Sequence, residues 1–432
     1  MTTHGSSRSR TGPVAETAGP GELPDDRQPV VVAARRTPIG RAAGSLAGVE
    51  AYQLVAAVIR DVLADSRAEP ARVCDVIVGN AAGGGGNLAR LAALEAGLPT
   101  EVPGVTVDRQ CGSGLEAIVL ACRLVAAGAG EVYLAGGGES VSTAPWRVRQ
   151  PARPGALPEF YARARFAPES VGDPDMGVAA ENVARHYGIT RRRQDAFALR
   201  SHRRAVDARE NGRFTAEITP MRTGRGTVTA DECQRPDTSL PALAALRPLF
   251  AAPGEGTVTA GNSCPLNDGA AMVLVTSRSM ARALGHRRVL GFVDASSAGV
   301  DPNLLGTGPI ASTRRLLARR PDLAAGAPGC AGPGGPVPAT VERIEFNEAF
   351  ASQVLASLDA LGIADERVNL DGGALALGHP FGASGAILVT RLFSQLVRAP
   401  AADTPLGARG LAMLGIAGGL GITALFSAQG TG

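Results

Sequence analysis

Cys111 stands in Thr106-Val107-Asp108-Arg109-Gln110-Cys111-Gly112-Ser113-Gly114-Leu115, where a β-rich run turns into a helical pattern. A thiol at a helix start lies beside free backbone N–H groups. Those groups and the helix dipole favour the thiolate, the reactive form of sulfur. Gly112 and Gly114 let another backbone or a substrate come close. A buried, inert cysteine is the plainer alternative for any single Cys, so the question passes to its partners. Of the five histidines, His379 has the setting of a proton carrier. It is fixed between Gly378 and Pro380 inside Gly372-Gly373-Ala374-Leu375-Ala376-Leu377-Gly378-His379-Pro380-Phe381-Gly382-Ala383-Ser384-Gly385, a glycine-dense loop entering a helix. Imidazole titrates near neutrality and suits a Cys–His pair, although histidines also make ordinary polar contacts. Asn347 follows the strand-like Ile344-Glu345-Phe346 and opens a helical stretch, where an Asn is most simply an N-cap. The loop Thr257–Gly269 precedes a strand and is suited to lining a cleft, or is only a tight turn.

The elements that hold these residues alternate between two periods. Val30–Ala34, Val76–Gly79 and Val132–Gly137 are short apolar runs of the kind buried in a sheet. Helical patterns at Ala51–Leu63, Leu88–Ala96 and Gly114–Ala126 fall between them, which points to an α/β layered architecture. From about Ser142 to Phe250 the chain is Arg-rich and more polar. One long helical pattern, Met176–Glu210, is broken there only by Gly188-Ile189-Thr190. This stretch reads as an insertion into the first α/β unit. Strand character resumes at Ala270–Val275 and Val289–Val293, and Leu411–Phe426 reads as a buried strand–turn–strand. Residues 1–28 are expected to form a disordered tail, and Ala324–Pro338 a flexible Pro/Gly-rich loop.

Composition narrows the chemistry. The chain has 432 residues, 45% hydrophobic and 19% charged, which fits a soluble globular protein of two or three domain-sized units. Net charge is only +3, with no basic patch interleaved with aromatics, so nucleic acid is not an expected partner. There is no lysine: all 43 basic residues are arginine. Schiff-base chemistry and a P-loop lysine are therefore excluded, while arginine keeps phosphate recognition open. The six cysteines form no CxxC pair and no metal-ligand spacing, a pattern suited to a reducing cytoplasm. No stretch reads as a membrane span, so no membrane partner is expected.

In this order, the blocks resemble the thiolase family (acetyl-CoA acetyltransferase and 3-ketoacyl-CoA thiolase). The resemblance runs from about Val30 to Phe426. Further segments that carry it are Arg36-Thr37-Pro38-Ile39-Gly40, Asn87-Leu88-Ala89-Arg90, Met176-Gly177, Ala180-Glu181-Asn182-Val183-Ala184, Gln194-Asp195, Ser201-His202, Arg235-Pro236-Asp237-Thr238 and Leu246-Arg247-Pro248. The resemblance implies a five-layer α-β-α-β-α fold of two similar βαβαβαββ halves. Residues 29–141 and 251–290 would form the N-terminal half, 142–250 an inserted CoA-binding loop domain, and 291–432 the C-terminal half. It implies Cys111 as acyl-accepting nucleophile, His379 as its base, and Asn347 holding a thioester carbonyl through a water. A second oxyanion site would come from the N–H groups of Cys111 and the Ala417-Gly418-Gly419 turn. Arg235 would face the nucleotide of CoA, and Met176, Ser263 and Cys264 the pantetheine. It also implies acyl-CoA substrates, no permanently bound cofactor, no metal, and a homodimer or homotetramer.

Four positions depart from the family pattern. A C-terminal Cys-Ile-Gly-Gly-Gly block supplies the family's acid/base thiol, and here it reads Gly415-Ile416-Ala417-Gly418-Gly419. Gly415 carries no proton-transfer group, while Ala417 can still offer its N–H unless the turn demands positive φ. Cys264 replaces a small Ser, and Asp175 precedes Met176 where some members have His. Acyl transfer to Cys111 should survive these changes, but removing an α-proton needs a base, a role worth about 10²–10⁴-fold. His379, a water or Cys264 could substitute, and Gly415→Cys is expected to raise the rate. Two alternatives stay open. One is a decarboxylating or simple acyl-transfer enzyme using Cys, His and Asn. The other is a silent homologue acting as a partner subunit.

Overall fold

The computed structural model describes residues 23–252, 254–323 and 337–432. Most of the sequence expectation for a disordered tail (1–28) and nearly all of the 324–338 loop therefore lie outside the described residues.

Apolar runs become strands and amphipathic stretches become helices, in alternation. The strands that position the site are β1 (Pro29–Arg36), β2 (Asp75–Gly79), β3 (Gly104–Val107), β4 (Val132–Ser140), β5 (Asn267–Ser277), β6 (Arg288–Gly299), β7 (Val341–Phe346), β8 (Arg409–Ile416) and β9 (Leu420–Gly430). The helices are α1 (Ala51–Ser66), α2 (Leu88–Glu95), α3 (Ser113–Ala127), α4 (Met176–Tyr187), α5 (Arg191–Glu210), α6 (Gly308–Ala318), α7 (Ala351–Leu361) and α8 (Phe381–Phe393). Hydrogen-bonded neighbours run β7-β8-β9-β6-β1-β5-β4-β2-β3.

The two halves repeat one pattern outward from the central pair β1 and β6. In the first, β1–β5 and β5–β4 are antiparallel, then β4–β2 and β2–β3 are parallel. In the second, β6–β9 and β9–β8 are antiparallel, β8–β7 is parallel, and Val368 bridges Ile344 in parallel. In the sheet the halves pair through Val30↔Gly291 and Val31↔Leu290. In this repeat α3, between β3 and β4, corresponds to α8, between Val368 and β8. Cys111 and His379 therefore occupy equivalent helix starts in the two halves.

Three apolar cores explain the layering. One holds α1 and α2 against the first half, through Leu54, Val55, Val58, Ile59 and Val62 of α1. Another holds α6 and α7 against the second half. Between them α3 and α8 are packed on both sides, and every α8 residue except Phe381 is buried. The two central helices touch backbone to backbone. A Cβ on Gly114 would lie 2.5 Å from the Gly382 carbonyl oxygen, and one on Gly385 would meet the Leu115 backbone. That contact is what the glycines flanking Cys111 and His379 permit.

In the polar stretch, Gly188 ends α4 in the left-handed conformation with φ +67°, and the Thr190 side chain caps α5 by accepting from the Arg193 N–H. The far end of this stretch is tied to the core by buried ion pairs. Arg36 donates to Glu217 (2.7 Å) and Asp231 (2.6 Å), and Arg391 of α8 pairs with Glu217 and Asp371. Breaking such a set would leave uncompensated buried charge, so it anchors the helix that His379 precedes.

Candidate active site

The site lies where the parallel strands end and α3 and α8 begin, the position at which α/β sheets gather ligand-binding loops. Cys111 sits one residue before Gly112, which caps α3. The turn is tight: Gly112 N–H donates to Arg109 O (3.0 Å) and Ser113 N–H to Gln110 O (3.0 Å). Gln110 takes a left-handed φ of +47°, rare for a residue with a side chain. It is held there by its N–H to Asp108 Oδ1 (2.7 Å), while Ser113 Oγ donates to its carbonyl (2.6 Å). Strain next to a thiol is what an imposed nucleophile geometry looks like. Gly112 also makes room for Ile416, so β8 presses directly on the turn.

Cys111 is partly exposed, and two backbone N–H groups, its own and that of Ala417, favour its thiolate. Ala417 is not among the positive-φ residues, whereas Gly418 (+78°) and Gly419 (+74°) are. The glycine-to-alanine change at 417 therefore leaves its donor intact. The expected thiolate preference does not hold at Cys111. Burial first, and then the charge of Glu139, push the Cys111 thiol up to about 12, against the lowering by the two N–H groups. Desolvation outweighs the helix start, and the thiol form rests until a partner takes its proton.

His379 is buried, and burial holds it down to about 4, so its ring is neutral. Nδ1 lies 2.6 Å from Ser384 Oγ, and that hydroxyl donates to Pro380 O at 3.1 Å. The Ser384 proton being engaged, Nδ1 carries the ring hydrogen and Nε2 is the bare nitrogen. Nε2 is buried without a hydrogen-bond partner among the described residues. The His379 N–H donates to Asn267 Oδ1 (2.8 Å), and residue 379 bridges Leu266. The Thr257–Gly269 loop thus supports His379, and is more than a turn.

Asn347 is not an N-cap. Helix α7 starts at Ala351 with Phe350 as its cap, and the Asn347 N–H extends the sheet to Met413 O (3.0 Å). Its Nδ2 is buried without a hydrogen-bond partner among the described residues, as are Gln353 Oε1 and Ser263 Oγ. Gln353 Nε2 donates to Asn347 O at 3.0 Å. Buried polar atoms without partners are uncommon in native folds and gather where a ligand or water completes them. Gly415 faces this group: a Cβ there would lie 2.7 Å from Gln353 Oε1 and 2.8 and 2.9 Å from Gly306 Cα and O.

The loop around Cys264 packs against the Asn347 turn, with Cys264 N–H donating to Ala349 O (3.0 Å) and Ser263 bridging Phe350. Met176, the first residue of α4, lines two cavities. One of about 790 Å³ is walled by Gln110, Trp146, Leu266 and Phe381, and the other, of about 720 Å³, by Phe250, Ala252 and Phe350. Arg235 is exposed, and its N–H donates to Nδ1 of the buried His202 (3.2 Å). Glu139 escaped sequence reasoning. At the end of β4 it accepts from Ala81, Ala82 and Gly382 N–H and from the Asn80 amide, tying β2 and α8 together. A glutamate directly after three glycines in a buried strand was the available signal. Ser384 and Gln353 had none.

A mixed sheet of two repeated halves, with a cysteine and a histidine on paired central helix starts, defines a thiolase-type acyltransferase fold. The family models for the thiolase N-terminal domain and the thiolase C-terminal domain match residues 29–279 and 288–428, and the chain belongs to the thiolase family. Among its relatives are proteins provisionally named acetyl-CoA C-acetyltransferase VraB. Those of Staphylococcus epidermidis and Staphylococcus aureus are each 43% identical over 402 residues, covering 93% of this chain and 98% and 99% of theirs. The crystal structure of the Bacillus anthracis acetyl-CoA acetyltransferase superposes with a TM-score of 0.82 at 34% identity, covering 93% of this chain and 99% of that one.

Proposed function

We propose that this chain forms or cleaves 3-oxoacyl-CoA through an acyl group carried on Cys111, with acetyl-CoA as the first substrate to test. The observation that carries the reading is one convergence. Two backbone N–H groups favour the Cys111 thiolate, and a neutral histidine with a bare Nε2 precedes α8, whose start packs on that of α3 at Gly114 and Gly382. His379 takes the Cys111 proton, and the thiolate attacks the thioester carbonyl. The N–H groups of Cys111 and Ala417 hold the oxygen as it gains charge. Asn347, with its free Nδ2, steadies the carbonyl of the second substrate. Met176, Ser263 and Cys264 border the pantetheine, and Arg235 at the surface meets the nucleotide. Residues 142–250 are the CoA-binding insertion within the N-terminal half (29–141, 251–290), which the C-terminal half (291–432) follows.

A homodimer or homotetramer in the cytoplasm, working in lipid metabolism, completes the proposal. It is supported by the free edge of β3 with Val105 exposed, and by the unpaired state of Cys74, Cys111, Cys122, Cys233 and Cys264. The test is CoA-dependent cleavage of acetoacetyl-CoA, together with condensation of acetyl-CoA alone. Activity appearing only with a malonyl donor would instead favour a decarboxylating condensing enzyme.

A further inference from the structure

Carbon–carbon bond formation needs two proton movements, one off the nucleophilic thiol and one off the α-carbon of the second acyl-CoA. The position where a second sulfur would stand, Gly415, is closed by the Gly306 backbone and Gln353. The acidic side chains around the site are committed. Glu139 accepts four hydrogen bonds, from Asn80, Ala81, Ala82 and Gly382. Glu348 accepts from Ser201 (2.6 Å), Asn369 (2.7 Å) and Leu375 N–H (3.1 Å). Asp108 holds the Gln110 turn. Two proton carriers remain uncommitted, His379 Nε2 and Cys264 Sγ. Cys264 is partly exposed, as Cys111 is, whereas Cys122 and Cys233 are buried. Its loop is bound on one side to the Asn347–Phe350 turn and on the other, through Leu266 and Asn267, to His379. Burial and then the charge of Cys111 raise the Cys264 thiol, in keeping with that placement.

We infer that Cys264 is a catalytic residue of this chain, the second thiol that carries the α-proton, moved from the end of β8 to the loop before β5. The inference rests on the thiolase-type reading above. In the first half-reaction the Cys111 thiolate bonds to the acyl carbon, the C–S bond to CoA breaks, and the departing CoA thiolate takes the Cys264 proton. In the second, the Cys264 thiolate takes a proton from the α-carbon of the second acyl-CoA. The electron pair of that C–H bond forms the new C–C bond to the acyl carbon. The C–S bond to Cys111 breaks, returning its thiolate beside the protonated His379. All protons and electrons balance, with no outside reactant.

The test uses the full chain and Cys264→Ser, which keeps the volume, alongside Cys264→Ala. Acylation of Cys111 is followed by quenched intact mass with acetyl-CoA, and condensation by acetoacetyl-CoA formation. Deuterated acetyl-CoA adds a third reading, washout of label from the methyl group. The expected result is that both variants lose condensation and washout by about 10²–10⁴-fold, while acylation falls less than tenfold, because the CoA thiolate can depart unprotonated and take its proton from water, and that Ser does not rescue. Wild-type condensation in Cys264→Ser would overturn the inference and leave His379 handling both protons. Equal loss of acylation and condensation would also overturn it, making Cys264 a packing residue. A wild type that acylates but neither condenses nor cleaves would instead sink the thiolase-type reading.

Discussion

Gly415→Cys reverses the expectation that sequence alone suggests. Placing a sulfur where the family carries one ought to restore an acid/base group and raise the rate. In the structure, a Cβ at 415 stands 2.8 Å from Gly306 Cα and 2.9 Å from its carbonyl oxygen, closer than real Cβ atoms come to backbone. Gly306 has a φ of +90° and leads into α6, so it has little freedom to move. The third neighbour, Gln353 Oε1 at 2.7 Å, is a side chain that can swing, but its Nε2 holds the Asn347 carbonyl. Overpacking of this kind costs about 1–3 kcal/mol, a fall in Tm of roughly 2–6 °C at some 2 °C per kcal/mol for a large domain. Displacing Asn347 by even an ångström costs about 10²-fold in rate. Gly415→Ala and Gly415→Cys should therefore both lower Tm by a few degrees and slow acetoacetyl-CoA cleavage. Adding Gln353→Ala should recover only part of the stability, because Gly306 remains. Calorimetry and a steady-state thiolysis assay read both effects. A Gly415→Cys enzyme with unchanged Tm and a raised rate would refute the steric argument and restore the simpler expectation.

Further outcomes follow from the proton carriers and buried charges. His379→Ala should lose about 10²–10⁴-fold in Cys111 acylation. The acid limb of kcat/KM should fall near pH 4, where burial has set this imidazole, and not near its ordinary value of about 6.5. Ser384→Ala frees the ring to adopt the wrong tautomer, and a kcat loss with KM unchanged would separate positioning from binding. Burial raises Glu345 to about 8, against the nearby Arg391, so folding keeps it protonated where the unfolded chain has ionised. Its stabilising contribution is full below about 4.5 and is lost as pH rises through 8. Glu345→Gln, which keeps the contact with Gln395 (2.8 Å), should match wild type in Tm near pH 4.5 and exceed it near pH 8.5. Parallel Tm curves across that range would contradict the assignment.

Much of the scaffold was legible because period and punctuation agree in this chain. The apolar runs at 30–34 and 76–79 are strands, and Gly188-Ile189-Thr190 divides one helical pattern into α4 and α5 through a glycine stop and a threonine cap. Cys111 and His379 were visible because glycines surround them, and those glycines exist so that α3 and α8 can touch. What escaped was relational. No local pattern tells that Glu139 at the end of β4 would gather N–H groups from 81, 82 and 382, or that Ser384 would fix the tautomer of His379. Asn347 reads in sequence as a cap, but the helix starts at Ala351 with Phe350 as its cap, three residues later than a cap at 347 would set. The thiolate preference of a helix start lost to desolvation, which depends on how deeply the whole fold buries Cys111. A glycine where the family keeps a cysteine reads in sequence as a deletion. Only the positions of Gly306 and Gln353 show it to be a closed space.

The proposed chemistry passes through one bond, the thioester on Cys111. The most direct measurement is the intact mass of the protein quenched seconds after mixing with acetyl-CoA, with the modified peptide located by fragmentation. One acetyl group per wild-type chain is expected, located on Cys111, lost on adding CoA, and absent from Cys111→Ala. An adduct that persists in Cys111→Ala, or a wild type that stays unmodified while acetoacetyl-CoA is cleaved, would contradict it.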